Sequence, residues 1–174
     1  IVIFSSDLAD YVLEDRGSRV DLPNLINGSD LENVAITGKG VFNGNGQDWR
    51  PVKKEKMNEK QWKALLRKGG ELSKDGNIWS PRVGAFSGDS LYAAKANATL
   101  TADEKAKIKI SLRPYMLGIR KSKNVLIDGI TLTNSPKFAM YLNGINGLVL
   151  RNVSAINDWW AQNADGLDIS VCKN

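Results

Sequence analysis

The chain of 174 residues carries 24 Lys and Arg against 19 Asp and Glu, a net charge of +5, with one cysteine and no histidine. This excludes an intrachain disulfide, a multi-cysteine metal site, and any mechanism or zinc site that needs an imidazole from this chain. No apolar run approaches the roughly 18–20 residues that cross a membrane, and the length suffices for one domain with a real core.

The chain opens on Ile1-Val2-Ile3-Phe4, which reads as a strand already under way. With no initiator Met and no signal-type segment, the expectation is a mature, processed or truncated chain. Next comes Asn33-Val-Ala-Ile-Thr-Gly-Lys-Gly-Val-Phe-Asn-Gly44, two short runs of alternating apolar residues on either side of a Gly-containing bend.

From residue 47 to 112 this grammar breaks. Asn58 with Gln61 reads as a capping box, followed by Trp62, Leu65 and Leu66 at helical spacing and by Gly69-Gly70 as a stop. Lys56, Lys60, Lys63 and Arg67 fall on the opposite face. Thr101 with Glu104 forms a second box that opens a short lysine-rich helix. Nine basic and four acidic residues lie between Arg50 and Asp75, so this stretch accounts for the whole positive excess. Residues 50–112 are therefore expected to form a helical insertion within a single domain spanning 1–174. It would serve either as one wall of a cleft for an acidic ligand or as a cap over the end of a strand stack.

Beyond the insertion the strand grammar returns and repeats. Asn124-Val-Leu-Ile-Asp-Gly-Ile-Thr-Leu-Thr-Asn-Ser135 aligns with Gly147-Leu-Val-Leu-Arg-Asn-Val-Ser-Ala-Ile-Asn-Asp158 at an offset of 23. Val125, Ile127, Ile130 and Leu132 fall on Leu148, Leu150, Val153 and Ala155. The stretch from Asn33 to Gly44 fits the same pattern with one extra residue. A period in the twenties built of short strands predicts a parallel β-helix, an all-β solenoid. The Leu-x-x-Leu-x-Leu pattern of leucine-rich repeats is absent, and a β-sandwich would not keep a constant register.

The last stretch carries the candidate chemistry. Trp159-Trp160 precede Asn163-Ala164-Asp165-Gly166-Leu167-Asp168, which places two carboxylates around a Gly-containing turn. Asp165 and Asp168 have opposite parity and would face opposite sides of a regular strand, unless a bend at Gly166 intervenes. On residue types alone, a solvated Asp-Gly turn explains Asp165, and core packing explains one tryptophan as well as sugar stacking does. Cys172 sits between strand-like neighbours and reads as a structural thiol.

Four elements in order resemble the family 28 glycoside hydrolases, the polygalacturonases. Gly38-Lys-Gly-Val-Phe-Asn-Gly-Asn-Gly-Gln-Asp-Trp49 is similar to that family's glycine-rich turn. Arg113-Pro114 and Ile130-Thr-Leu-Thr-Asn-Ser-Pro-Lys-Phe138 are similar to its middle coils. Asn163-Ala-Asp-Gly-Leu-Asp168 resembles its first catalytic motif, with Ala164 in place of the usual Thr. The resemblance implies a right-handed parallel β-helix that hydrolyses α-1,4-galacturonosyl linkages in pectin with inversion, without a metal or other cofactor. It implies a secreted or periplasmic enzyme, monomeric when complete, acting on an acidic polysaccharide.

By the same resemblance Asp165 is the catalytic residue, with Asn163 and Asp168 in the substrate cleft; Trp160 is a further substrate-binding candidate by sugar stacking. Lys137, Arg113 and Tyr141 are weaker candidates that strand-edge packing also explains. The family's Asp-Asp pair, Gly-His-Gly segment and Arg-x-Lys clamp would follow on later coils, past Asn174. The chain is thus expected to be truncated at its C-terminus and inactive alone, since one carboxylate cannot both protonate a leaving group and activate water.

Three other readings compete. A non-catalytic polyuronate-binding β-helix would need no later motifs. A calcium-dependent pectate lyase would need several convergent carboxylates, and the acids here are sparse. Nucleic-acid binding is disfavoured because the basic residues interleave with few aromatics.

Overall fold

The computed structural model describes residues 1–174. It is mostly β, with three short helices and three sheets of parallel strands. Before the first long connection the chain forms β1 (Val2–Ile3), the antiparallel pair β2 (Glu14–Asp15) and β3 (Val20–Asp21), and then β4 (Ile26–Ser29), β5 (Glu32–Thr37) and β6 (Val41–Asn43). After residue 112 it forms β10 (Leu117–Arg120), β11 (Lys123–Asp128) and β12 (Thr131–Thr133). Then come β13 (Met140–Asn143), β14 (Asn146–Arg151) and β15 (Ser154–Ile156), and finally β16 (Asp168–Ser170).

Each passage lays one strand in each sheet. The sheet orders are β1-β6-β12-β15, β16-β13-β10-β4 and β14-β11-β5. The register follows the 23-residue offset: Val125 pairs with Leu148, Ile127 with Leu150 and Leu132 with Ala155. Towards the N-terminus Val34 pairs with Val125 and Phe42 with Leu132, so the offset shortens by one between β5 and β6. The extra residue sits in the bend at Gly38-Lys39-Gly40.

The strands are amphipathic with period two, so alternate side chains meet in one interior. Met116, Leu117, Ile119, Val125, Ile127, Ile130, Leu132 and Leu142 belong to its buried cluster. Where the chain turns from one sheet to the next, Asn33, Asn124 and Gly147 hold the left-handed conformation at equivalent places. Asn tolerates that conformation, and here Asn124 Nδ2 donates to Asn33 Oδ1 at 2.8 Å.

Residues 50–112 are mixed rather than purely helical. β7 (Val52–Lys53), β8 (Glu71–Leu72) and β9 (Ile78–Ser80) form a small antiparallel sheet. Over it lies α1 (Glu59–Leu66), closed by the Asn58/Gln61 box, with Trp62 buried against Val52 and Trp79. α3 (Ala102–Lys109) is closed by the Thr101/Glu104 box.

Between them, α2 (Ala85–Ala94) has no sequence signal. Its N-cap is Gly84 at φ 92°, with no side-chain cap. Gly88 lies within the helix where a Cβ would stand 2.7 Å from Lys107 O on α3. Gly88 costs helix propensity and admits the neighbouring helix. α3 and the β2–β3 hairpin share a second core around Val20, Trp49, Leu100 and Ile108.

Candidate active site

The outer side of the sheet β4-β10-β13-β16 gathers the candidate polar side chains. Strand alternation points Leu142 into the core, where it is fully buried, and leaves Tyr141 and Asn143 on the opposite face. Pairing extends that face in two rows: Asn27, Gly118, Tyr141 and Asp168, then Ser29, Arg120, Asn143 and Ser170. Asn143 Nδ2 donates to Ser170 Oγ at 2.6 Å, tying β16 to β13 through side chains.

Tyr141, Arg120 and Asn143 line a cavity of about 360 Å³. Its other cations are Arg16 and Arg19 from the β2–β3 hairpin, Arg113 and Lys137 from the ends of the connections before β10 and β13, and Lys121. Two carboxylates, Glu14 and Asp21, oppose six cations. Glu14 is engaged by Arg16 at 3.1 Å and Asp21 by Arg19 at 3.2 Å. Arg120 Nε is buried there and finds no acceptor. Concentrated uncompensated cations in a cleft favour a polyanion.

An aromatic wall completes the cleft. Tyr115 stacks on Tyr141 at 4.8 Å between centroids and on Phe138 at 5.4 Å. Lys137 Nζ lies 4.7 Å above the Tyr115 ring. Burial, with the Arg113 cation next in size, holds the Lys137 ammonium below the ordinary lysine range. Burial also raises the Tyr115 phenol, helped by the Asp21 and Asp168 carboxylates.

Asp165 lies in the turn leading into β16, with Gly166 at a bend. Arg113 grips this turn. Its Nη1 donates to Gln162 O at 3.0 Å and Pro136 O at 3.3 Å, and its Nη2 to Asn163 Oδ1 at 3.1 Å. Asn163, at φ 53°, is thus committed through its side-chain oxygen to Arg113. Ala139 N–H donates to Asp165 O at 2.8 Å, which fixes the turn against the chain entering β13. The Asp165 side chain is exposed and that of Asp168 half-buried.

Asn163, Asp165 and Asp168 therefore belong to one turn and strand, joined to the cationic cleft through Arg113 and the Tyr141–Asp168 pair. Trp160 sits elsewhere. It packs against the Val52, Trp62 and Trp79 cluster and lines a second cavity of about 470 Å³ with Arg50 and Asp158. Trp159, 66 % exposed, meets it edge-on at 5.8 Å.

The basic stretch 50–75 contributes no residue to the cationic cleft; its Arg50 and Lys68 line the cavity beside Trp160. Charge runs in sequence miss a cleft whose cations come from positions 16 to 137. The parity of Arg120 with Gly118 on β10 was the available signal.

The sequence profile described as Glycosyl hydrolases family 28 matches residues 87–174, half of the chain. The chain belongs to that family. Among solved structures it is similar to the family 28 exopolygalacturonase of Yersinia enterocolitica, with 17% identity and a TM-score of 0.54 over 97% of this chain and 30% of that one. It is also similar to a hyperthermoactive exopolygalacturonase from Thermotoga maritima, with 20% identity and a TM-score of 0.52 over 98% of this chain and 38% of that one. The family 28 chain described here thus spans well under half the length of either enzyme. No curated protein sequence matches it.

Proposed function

We propose that the stacked passages wind as a right-handed parallel β-helix, and that the chain is the N-terminal and central portion of a hydrolase of α-1,4-galacturonosyl linkages in pectin-type polysaccharide. The observation that carries this reading is the six-cation cleft on the outer face of β10 and β13, bordered by Asp168 and by the Arg113-gripped turn of Asp165. Membership of family 28 supports the reaction class.

In this reading Arg113, Arg120 and Lys137 neutralise uronate carboxylates, and Tyr115 and Tyr141 offer ring faces to sugar. Arg113 loses some basicity to burial, but a guanidinium remains charged at neutral pH. Asp165 serves as one of the two carboxylates of an inverting pair. Such pairs stand roughly 6.5–9.5 Å apart, and parallel strands stack about 4.8 Å apart, so a neighbouring coil is the natural source of the second. Trp160 in the adjacent cavity is proposed to meet a further sugar. Because the substrate is a cell-wall polymer, the proposed site of action is secreted or periplasmic.

The test is Asp165→Asn in the complete protein, read as reducing-sugar release from polygalacturonate. Loss by orders of magnitude at unchanged Tm is expected; near-normal turnover would falsify the assignment. Tight oligogalacturonate binding by a complete protein that releases no sugar would favour a non-catalytic polyuronate-binding β-helix.

A further inference from the structure

The turn that carries Asp165 is also held from behind, by Asn157. Its Nδ2 donates to Ala164 O at 2.9 Å, the carbonyl just before Asp165. A side-chain amide can turn over and exchange donor for acceptor, and a flipped Asn157 would set oxygen against oxygen there. Two donors on its other side prevent this. Asn157 Oδ1 accepts from Ser135 N–H at 2.8 Å and from Arg50 Nη1 at 3.3 Å.

Arg50 is only 3% exposed, and Asn157 is its one side-chain hydrogen-bond partner. The Asp158 carboxylate in the same cavity offsets part of the desolvation cost of this cation, but it forms no ion pair with it, so the one hydrogen bond of the guanidinium goes to the Asn157 amide.

The glycine-rich turn makes room for this arginine. Gly46 N–H donates to Asn134 O at 2.7 Å, and Arg50 N–H donates to Gly46 O at 2.9 Å. A Cβ on Gly46 would lie 2.9 Å from Arg50 Cζ, and 2.5 and 2.7 Å from the carbonyl oxygens of Ser135 and Asn134. Any side chain at 46 would displace both the guanidinium and the backbone carrying Ser135. The glycine-rich turn, Ser135 on the next coil and Asn157 on the coil after it thus converge on the Asp165 turn.

We propose that Arg50 is a positioning residue for Asp165: it fixes the Asn157 amide in the one orientation that holds the Ala164 carbonyl, and so sets the geometry of the turn. The proposal rests on the reading of Asp165 as the catalytic carboxylate, but its effect on the turn can be measured separately.

The experiment uses the complete protein with Arg50→Met, Arg50→Lys, Asn157→Asp and Asp165→Asn. Arg50→Met keeps length and removes the donors. Asn157→Asp keeps an acceptor for Ser135 and pairs with Arg50, so the fold survives while the donor to Ala164 is lost. Both are expected to lower kcat about 10–100-fold, the scale of an ångström-level misplacement, with KM within about twofold. Arg50→Lys recovers part of the loss.

Hydrogen exchange gives the second readout. Ala139 N–H, bonded to Asp165 O, exchanges faster in both disruptive variants, while Gly144 N–H, bonded to Ser170 O at 2.9 Å, stays protected. Unchanged Ala139 exchange in Arg50→Met and Asn157→Asp overturns the positioning role. Near-normal turnover in Asp165→Asn overturns instead the reading of the site.

Discussion

Between Met116 and Ile145 the chain buries eleven residues in one continuous cluster, whereas the apolar side chains of residues 50–112 are divided between two smaller ones. The cores are built differently. In the parallel sheets the buried strand residues have partners in the neighbouring strands, as Ile127 has Ile36 and Leu150, so support comes from neighbouring passages. In the inserted segment, burial hangs on a few large rings: Trp62 and Trp79 under α1, and, at its border, Trp49, with Arg82 of the segment 3.7 Å over its face. A repeated layer shares its load along the stack, while a segment built on anchors depends on each anchor and on its helix caps.

The comparison is sharpest at Ile127, which is fully buried. Ile127→Ala removes three carbons between two neighbouring strands and is expected to cost about 2–5 kcal/mol, read by chemical denaturation of the whole domain. A loss under about 1 kcal/mol would mean that the stack relaxes around cavities as a looser core does.

Leu65, half-buried on α1 beside Trp62, should behave otherwise. Leu65→Ala is expected to cost about 1–2 kcal/mol, and the cost should be local. Tryptophan fluorescence from the inserted segment should soften before the strands lose their circular dichroism. A single shared transition would make the two regions one cooperative unit.

A smaller effect belongs to the cap of α3. Thr101 Oγ1 accepts from Glu104 N–H at 3.3 Å while Glu104 Oε2 accepts from Thr101 N–H at 2.9 Å. Thr101→Ala should lose about 1 kcal/mol, with faster amide exchange in α3 and unchanged exchange in β11.

The two regions were also unequally legible in sequence. Val125, Ile127 and Leu132 announce the stack because a period-two strand shows its buried face directly, and the offset to Leu148, Leu150 and Ala155 states the register. The two capping boxes marked α1 and α3 because caps are local chemistry. The helix α2 stayed hidden behind Gly84 and Gly88, whose value lies in contact with α3. Strands of two or three residues such as Val52–Lys53 are too short to carry a pattern. At the candidate site the motif around Asp165 was readable by resemblance, but its supports were not. Arg113 and Ala139 reach that turn only through the pairing of distant strands, and Asn157, seven residues before Ala164, carries no sequence mark of its bond. The cationic cleft is hidden in sequence for the same reason.

The smallest expected effect distinguishes the regions by pH. In the stack, Asp128 accepts from Asn152 Nδ2 at 3.0 Å and from Arg151 Nε at 2.9 Å across adjacent passages. Asn152 first and Arg151 second hold its carboxyl below the ordinary value of 3.8. In the inserted segment the Thr101 amide first, then Lys95, hold Glu104 below its ordinary 4.5. A carboxyl depressed by folding binds its proton more weakly in the folded chain than in the unfolded one. Its contribution is therefore complete above the ordinary value and is lost as pH falls through the depressed one. Asp128→Asn should lower Tm slightly near neutrality, where the carboxylate's contribution is complete, and flatten its fall below pH 3.8, so that the two proteins converge in acid. Glu104→Gln should flatten only the part of the transition carried by α3, beginning below pH 4.5. Because these groups face solvent, the difference should shrink in concentrated salt. An acid limb unaltered by Asp128→Asn would show that the contact between passages carries no linkage, leaving strand packing alone to join them.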